Sequence, residues 1–451
     1  MTRETLPPGP RFGKTLGTFN WVLRPGPYME AASRRYGDMW TMTLARDRYV
    51  MVSDPELVKL IFTASPKQLY AGEANEVFGP VVGSRSVLLL DEEEHMTQRK
   101  LLLPPFHGKH IEHYAEIMRE ACERELETWP RDRAMPLLPA MQRITLEVIM
   151  RAVFGLSDEG GERQARLQGL LRQLLGWTAT PSRALQFAMV VKLGGARAVA
   201  RFGERVRPVH AALHAEIQLA REDPNLKERD DILALMIAAL HEDGSPISDE
   251  EVRDQLMTLL LAGHETSATA LAWAMERLLR HPEMLVRLRA EAEAGEDAYA
   301  DAVVKETMRM RPIVPMAIRV VKQPFELGAY NLPAGTQVAA SIYLVHRRED
   351  IYPEPLQFRP ERFLEQPAGT YTWIPFGGGV RRCIGASFAT QEMKIVLQTV
   401  AARAQLRAVR RASEGVRRRA ITFSPSRGAE AILQELRPSL PEPVAAAAAV
   451  H

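Results

Sequence analysis

Two cysteines, Cys122 and Cys383, are all that the 451-residue chain carries. A disulfide framework is thereby excluded, as are most zinc and iron–sulfur sites, which need clustered thiolates. A reducing compartment suits such a chain, so a cytoplasmic location is expected. An excess of charge of one sign is also missing, with 58 Lys and Arg against 56 Asp and Glu. No whole-molecule field therefore argues for nucleic acid as a partner. No apolar run is long enough to cross a bilayer. The first residues, MTRETLPPGPR, lack the apolar segment of a signal peptide, so no transmembrane anchor is expected. Internal repeats, long linkers and any flavin or nicotinamide fingerprint are absent as well. What is present is an ordinary globular composition, 46% hydrophobic and 25% charged, in a chain long enough to bury a core without covalent staples.

Leu6-Pro7-Pro8-Gly9-Pro10 makes residues 1–10 a stiff, non-helical lead-in. The closing PEPVAAAAAVH makes 438–451 a low-complexity tail, expected to be disordered. Between them, 11–437 reads as one domain, mainly α with a small β region. MWTMTL and RYVMVS (Met39–Leu44, Arg48–Ser53) read as paired strands, and Asp54 caps a helix with Pro55 at its first position. From about His110 to Arg280 the period is helical. One helix opens with the capping box Ser248/Glu251 and stops near His281-Pro282. That is roughly 32 residues, or about 50 Å. Its LMTLLLAG centre is apolar on nearly every side and belongs in the middle of the protein. Beyond Arg311, short β-rich runs such as GTQVAASIYLV appear, and helix returns at ASFATQEMKIVLQTVAARA.

Chemistry concentrates in FGGGVRRCIG, Phe376 to Gly385. Cys122, within REACERELE, reads as a buried small hydrophobe. Cys383 has other neighbours. Gly377, Gly378 and Gly379 permit tight turns and close approach of backbone to a ligand. A helix starts just after Cys383, and Arg381 and Arg382 add positive charge, all favouring thiolate over thiol. With no second cysteine or histidine nearby, such a thiolate points to a single axial bond to a cofactor metal.

Phe376, Gly377, Gly379, Arg381, Cys383 and Gly385 match, position for position, the haem-binding loop of the cytochrome P450 family, which this chain resembles from LPPGP to ITFSPSRG. The resemblance implies the family's fold and heme b (iron protoporphyrin IX). It makes Cys383 the metal ligand, with Phe376 shielding the sulfur and Arg381 pairing with a haem propionate.

Other motifs stand in the family's order. Ala262-Gly263-His264-Glu265-Thr266 lies in the long helix. The plain reading of Thr266 is a hydroxyl bonded back to the preceding turn. Gly263, which costs up to about 1 kcal/mol in a helix interior, leaves room beside it. By the resemblance, Ala262 and Gly263 floor the oxygen site, Glu265 and Thr266 relay protons, and His264 has no catalytic part. The resemblance also implies a buried structural network of Glu306, Arg309 and Arg362, from KETMRMRP and FRPERF. The pair's spacing alone is cheap, since Glu116/Arg119, Glu204/Arg207, Glu250/Arg253 and Glu414/Arg417 share it. By the same resemblance, His95 and Arg99 of DEEEHMTQRK, one turn apart, are propionate partners, and Arg319 of PMAIRVV is a third, unless it is a surface charge.

The implied reaction is monooxygenation with O2. Electrons are expected from a ferredoxin or flavodoxin with its reductase, docking on a basic face that includes Lys100, Arg382 and Lys394. The basic run Arg403–Arg419 fits such a face or a solvated one. By analogy, Tyr70–Leu90, Leu170–Val190, Met257–Leu261, Ile313–Ile318 and Ile421–Phe423 wall the pocket, unless they are core. Their composition suits a hydrophobic small molecule, with fatty acids and terpenoids leading. A monomer is expected. The alternatives are a haem-thiolate peroxygenase or isomerase, which commonly lacks the acid–Thr pair, and a non-catalytic haem-binding protein.

Overall fold

In this computed structural model the residues described are 6–10, 14–44, 47–106, 108–155, 161–178, 195–419 and 421–439. Part of the expected pocket wall Leu170–Val190 and most of the tail lie outside them. MWTMTL alternates with the period of a half-buried strand, and β1 (Met39–Leu44) buries Trp40 and Met42 accordingly. It pairs antiparallel with β2 (Asp47–Val52), Met39 opposite Val52. β2 has neighbours on both edges, and its Val50, Met51 and Val52 are fully buried. With β3 (Leu69–Tyr70), β4 (Ala317–Val321) and β5 (Gln337–Ala340) these form one sheet ordered β1-β2-β5-β4-β3. Its parallel pair is β2 with β5. The run GTQVAASIYLV is strand only as far as Ala340. Ser341 then accepts from the Leu344 amide and starts a helical turn, Ile342–Val345, because its hydroxyl offers the backbone an alternative to the ladder.

Helices make the rest of the core. Asp54 caps α1 (Pro55–Thr63) by accepting from the Glu56 and Leu57 amides. α2 (Glu92–Leu102), α3 (Lys109–Leu126) and α4 (Leu137–Phe154) follow. The long helix is α5 (Asp249–Leu278), opened by the reciprocal Ser248/Glu251 capping box. It packs on α4, on α6 (Ala298–Met310) and on α7 (Ala386–Arg403). From Val252 to Leu278 it is buried almost all round, as its apolar sequence requires.

Cys122, in α3, is fully buried with its sulfur against the Val396 carbonyl, and burial pushes its thiol pKa far up. It is a packing residue. Glu306 and Arg309 are likewise fully buried and joined by two hydrogen bonds of 2.6 and 2.8 Å, and Arg362 reaches Glu306 at 3.2 Å. The remaining Arg309 donors meet the carbonyls of His346, Pro355 and Gln357. The network ties α6 to the chain that leads into the cysteine loop. Glu116/Arg119, Glu204/Arg207 and Glu250/Arg253 are ion pairs of surface residues. Glu414 departs from them. Its buried carboxylate accepts from the Arg427 and Glu430 amides.

Candidate active site

The cysteine loop sits between α1 and α7. Gly377 and Gly379 have φ of 69° and 64°, which disfavour any side chain. A Cβ at Gly378 would lie 2.3 Å from the Phe62 ring, and one at Gly379 1.9 Å from the Phe62 carbonyl oxygen. The protein atoms that exclude side chains at Gly378 and Gly379 belong to the end of α1. The loop closes where the Cys383 amide donates to the Phe376 carbonyl at 3.0 Å. The Phe376 ring meets Trp373 edge to face. Gly385 caps α7.

Cys383 has an exposed surface. Yet protein encloses it so fully that burial pushes its thiol pKa up, against the pull of the Gly385 amide, Arg99 and Arg382. An exposed group with buried electrostatics faces an interior space. Burial opposes the thiolate, while the Gly385 amide, Arg99 and Arg382 favour it, as the sequence led one to expect of this loop. Arg381 is not among the charges acting on the sulfur.

Arg381 instead donates to the carbonyls of Val87 and Leu90 and pairs with Asp91 at 2.6 Å. Asp91 also accepts from the Ala71, Gly72 and Glu73 amides. Arg319, on β4, is buried, which removes the surface-charge alternative. Burial first, then Arg381, pushes its pKa down to about 10. Arg381 is also pushed down to about 10, by burial and by Arg99. His95, buried on α2, is pushed down to about 3 by burial and by Arg381, Arg99 and Arg319, so it is neutral. Phe62, Leu69, Asp91, Arg319, Gly378 and Arg381 line a pocket at this cluster. Asp91 offsets Arg319 and Arg381 but is not among the groups acting on Arg99, which leaves unmatched positive charge in a partly desolvated place. Such a site fits a dianion. The donors present, a lone enclosed sulfur and an arginine cluster, fit a haem with its two propionates.

One turn interrupts the burial of α5. Ala262 is exposed in mid-helix, and Leu261, Gly263 and Thr266 are half-buried. A Cβ on Gly263 would meet Ile149 of α4 only at ordinary van der Waals distance, 3.5 Å, so a methyl group would fit on that side of the helix. Thr266 donates to the Ala262 carbonyl at 2.6 Å, the plain reading of that hydroxyl. Glu265 accepts from Gln142 at 2.7 Å and lies 3.2 Å from Arg419. Burial raises its pKa while Arg419 and Gln142 oppose the rise. His264 is buried against Thr145 and pushed down to about 4, chiefly by burial.

Other expectations change. Lys100 pairs with Glu242 at 2.7 Å and Lys394 with Asp297 at 2.5 Å, both carboxylates being exposed. Arg382 is exposed. The basic run is no solvated face at its ends. Arg403 is buried between Glu123 and Glu127, and Arg418 lies over the Trp21 ring. In the expected pocket wall, Met257, Leu260, Ile313 and Phe423 are buried in the core.

Two residues escaped the sequence reading. Asp91 opens DEEEHMTQRK, but nothing local tells it from the three acids after it. Glu392 on α7 is 1% exposed, has one oxygen without a partner, and is pushed up to about 8 by burial, against a hydrogen bond from Ser267. Its signal was an acid inside the apolar run of ASFATQEMKIVLQ.

The comparisons agree with this geometry. The family described as Cytochrome P450 matches residues 7–410. A putative cytochrome P450 135B1 of Mycobacterium tuberculosis is 38% identical over 94% of this chain and 90% of its own length. A putative cytochrome P450 137 of the same species is 40% identical over 88% and 83%. Among solved structures, a retinoic acid-bound cyanobacterial CYP120A1 superposes with a TM-score of 0.82 at 22% identity, covering 96% of this chain and 100% of that one. The chain belongs to the cytochrome P450 family. It is a haem-thiolate monooxygenase, an oxidoreductase that uses O2 and a redox partner. Among the described residues no helix is long and apolar enough to cross a membrane.

Proposed function

We propose that this monooxygenase hydroxylates a hydrophobic small molecule, a fatty acid or terpenoid first, using heme b and electrons from a ferredoxin or flavodoxin with its reductase. It is a cytoplasmic monomer in this reading. The observation that carries the site assignment is the pairing of two anomalies: an enclosed Cys383 with an exposed surface, and an open turn at Ala262 in an otherwise buried helix. Haem, when bound, supplies O2 activation and C–H oxidation, and the chain supplies ligand, orientation, protons and exclusion of water.

In this reading Cys383 is the metal ligand. Gly377, Gly379 and Gly385 shape its loop, and Phe376 covers the sulfur. Arg99, Arg319 and Arg381 hold the propionates with neutral His95, and Arg381 shares itself with Asp91. Ala262 and Gly263 border the O2 site. The Thr266 hydroxyl, turned from the Ala262 carbonyl, donates there, and the Glu265 carboxyl resupplies its proton. The balance is R–H, O2, two electrons and two protons in, R–OH and water out. Retention of both Glu265 and Thr266 supports this over the peroxygenase, isomerase and binding alternatives. Apolar side chains at the open turn, Leu261 and Ala262, support an apolar substrate.

A difference-absorbance screen of fatty acids, terpenes and steroids tests the substrate class. Displacement of a water ligand by a fatty acid or terpene is expected. Product with peroxide but none with O2 and a ferredoxin system would overturn the monooxygenase assignment for this site.

A further inference from the structure

The basic run Arg403–Arg419 ends in a residue whose place the family reading leaves unexplained. β6 (Val416–Arg419) and β7 (Thr422–Pro425) form a hairpin, with Arg419 opposite Thr422 at its tip. The hairpin is anchored to the core on its second strand. The Trp273 ring N–H of α5 donates to the Phe423 carbonyl at 2.7 Å, and the Phe423 amide donates to Ile313 at 2.9 Å. At the turn, Ile421 is 45% exposed while Thr422 is buried. From this tip Arg419 reaches back to α5 and sets its Nε 3.2 Å from a Glu265 oxygen. That Nε is buried and makes no aligned hydrogen bond, so charge carries the contact. The other Glu265 oxygen is held by Gln142 of α4.

We propose that Arg419 is the positioning residue for the Glu265 proton donor. It holds the carboxylate between hairpin and α4, favours its charged form, and lets it take up a proton when their contact opens. This rests on the proton-feeding reading of Glu265. The groups facing that carboxyl are Arg419 from β6, uncharged Gln142 from α4, and on α5 itself His264, which is neutral and turned to Thr145. No second charge on these neighbours masks the effect of Arg419. An ion pair that is partly buried and poorly aligned suits a contact that must open, whereas a bidentate pair would lock it.

The test uses the haem-loaded full chain with Arg419→Gln, Arg419→Lys and Glu265→Gln. Infrared titration follows the protonated-carboxyl band that Glu265→Gln removes. In parallel, a surrogate ferredoxin and reductase drive turnover without substrate, and the share of electrons leaving as peroxide (two electrons, two protons per O2) rather than water (four and four) is measured. Arg419→Gln is expected to move the band midpoint up by about one pH unit or more and to shift the pH profile of the peroxide share the same way. Arg419→Lys, which keeps the charge, should stay near wild type and reports on folding. An unmoved midpoint in Arg419→Gln, with the peroxide share changed only by Glu265→Gln, overturns the inference and leaves the role of Glu265 intact. A moved midpoint with the peroxide share unchanged in every variant overturns the proton role of Glu265, and the inference with it.

Discussion

Two clusters of arginine lie inside this protein, and they are built oppositely. Around Glu306, two guanidiniums share one fully buried carboxylate, and the further donors of Arg309 end on backbone carbonyls. Around His95 stand three guanidiniums, Arg99, Arg319 and Arg381, of which Asp91 offsets the last two, and each has its pKa lowered by burial. The first is matched within the chain and holds α6 to the segment before the cysteine loop. The second is left short of negative charge, which is what a site for an anionic ligand must be before the ligand arrives. Buried charge therefore distinguishes structure from function here by its balance, since arginine content is similar in both places.

The comparison breaks most severely at Glu306. Glu306→Ala strands two buried arginines and should cost about 3–5 kcal/mol. Little folded, haem-loaded protein is expected, and a normal yield with an unchanged urea midpoint would demote the network. Cys383→Ser should abolish the red-shifted carbon monoxide band of the holoenzyme, while Cys122→Ser should keep it. The sharpest contrast comes from Arg319→Gln and Arg381→Gln. Each should weaken haem retention by about 1.5–3 kcal/mol, a tenfold or larger loss of affinity. The haem-free protein should be as stable as wild type or more so for Arg319→Gln, because repulsion is relieved, whereas Arg381→Gln also loses the Asp91 pair. Equal destabilisation with and without haem would make these arginines structural too. Thr266→Ala should raise the peroxide share severalfold, with folding unchanged.

The most gradual effect is a slope against pH. Glu392 has a folded pKa raised from 4.5 to about 8. Between those values the folded state keeps a proton that the unfolded state has lost. Stability therefore falls as pH rises through that window and levels off above it, by at most about 1.4 kcal/mol per unit. Glu392→Gln should flatten this slope in urea midpoints measured from pH 5 to 8. A slope unchanged by the substitution would mean that the carboxyl is ionised in the fold.

Much of this was legible locally. The capping box at Ser248, the Asp54-Pro55 helix start and the alternation of MWTMTL are short-range devices, and the structure has all three. The glycine loop was legible as a loop, but the reason for Gly378 and Gly379 was not. Phe62 stands more than three hundred positions earlier in the chain, and only packing brings its carbonyl to that spot. Asp91 and Arg419 were hidden for the same reason. Each is one acid or base among several neighbours of like charge, and its partner is set by tertiary contact.

The order of motifs, the helix periods and the single cysteine in a glycine loop determined the family, the haem and the class of reaction, because backbone conformation and thiolate ligation depend on nearby residue types. The partners of each charge were decided by the fold alone. Lys100 and Lys394 found carboxylates, Arg319 was buried, Arg381 was tied to Asp91, and Arg419 was brought to Glu265. Coulomb energy depends on distance and on burial, and neither is defined until the chain has packed.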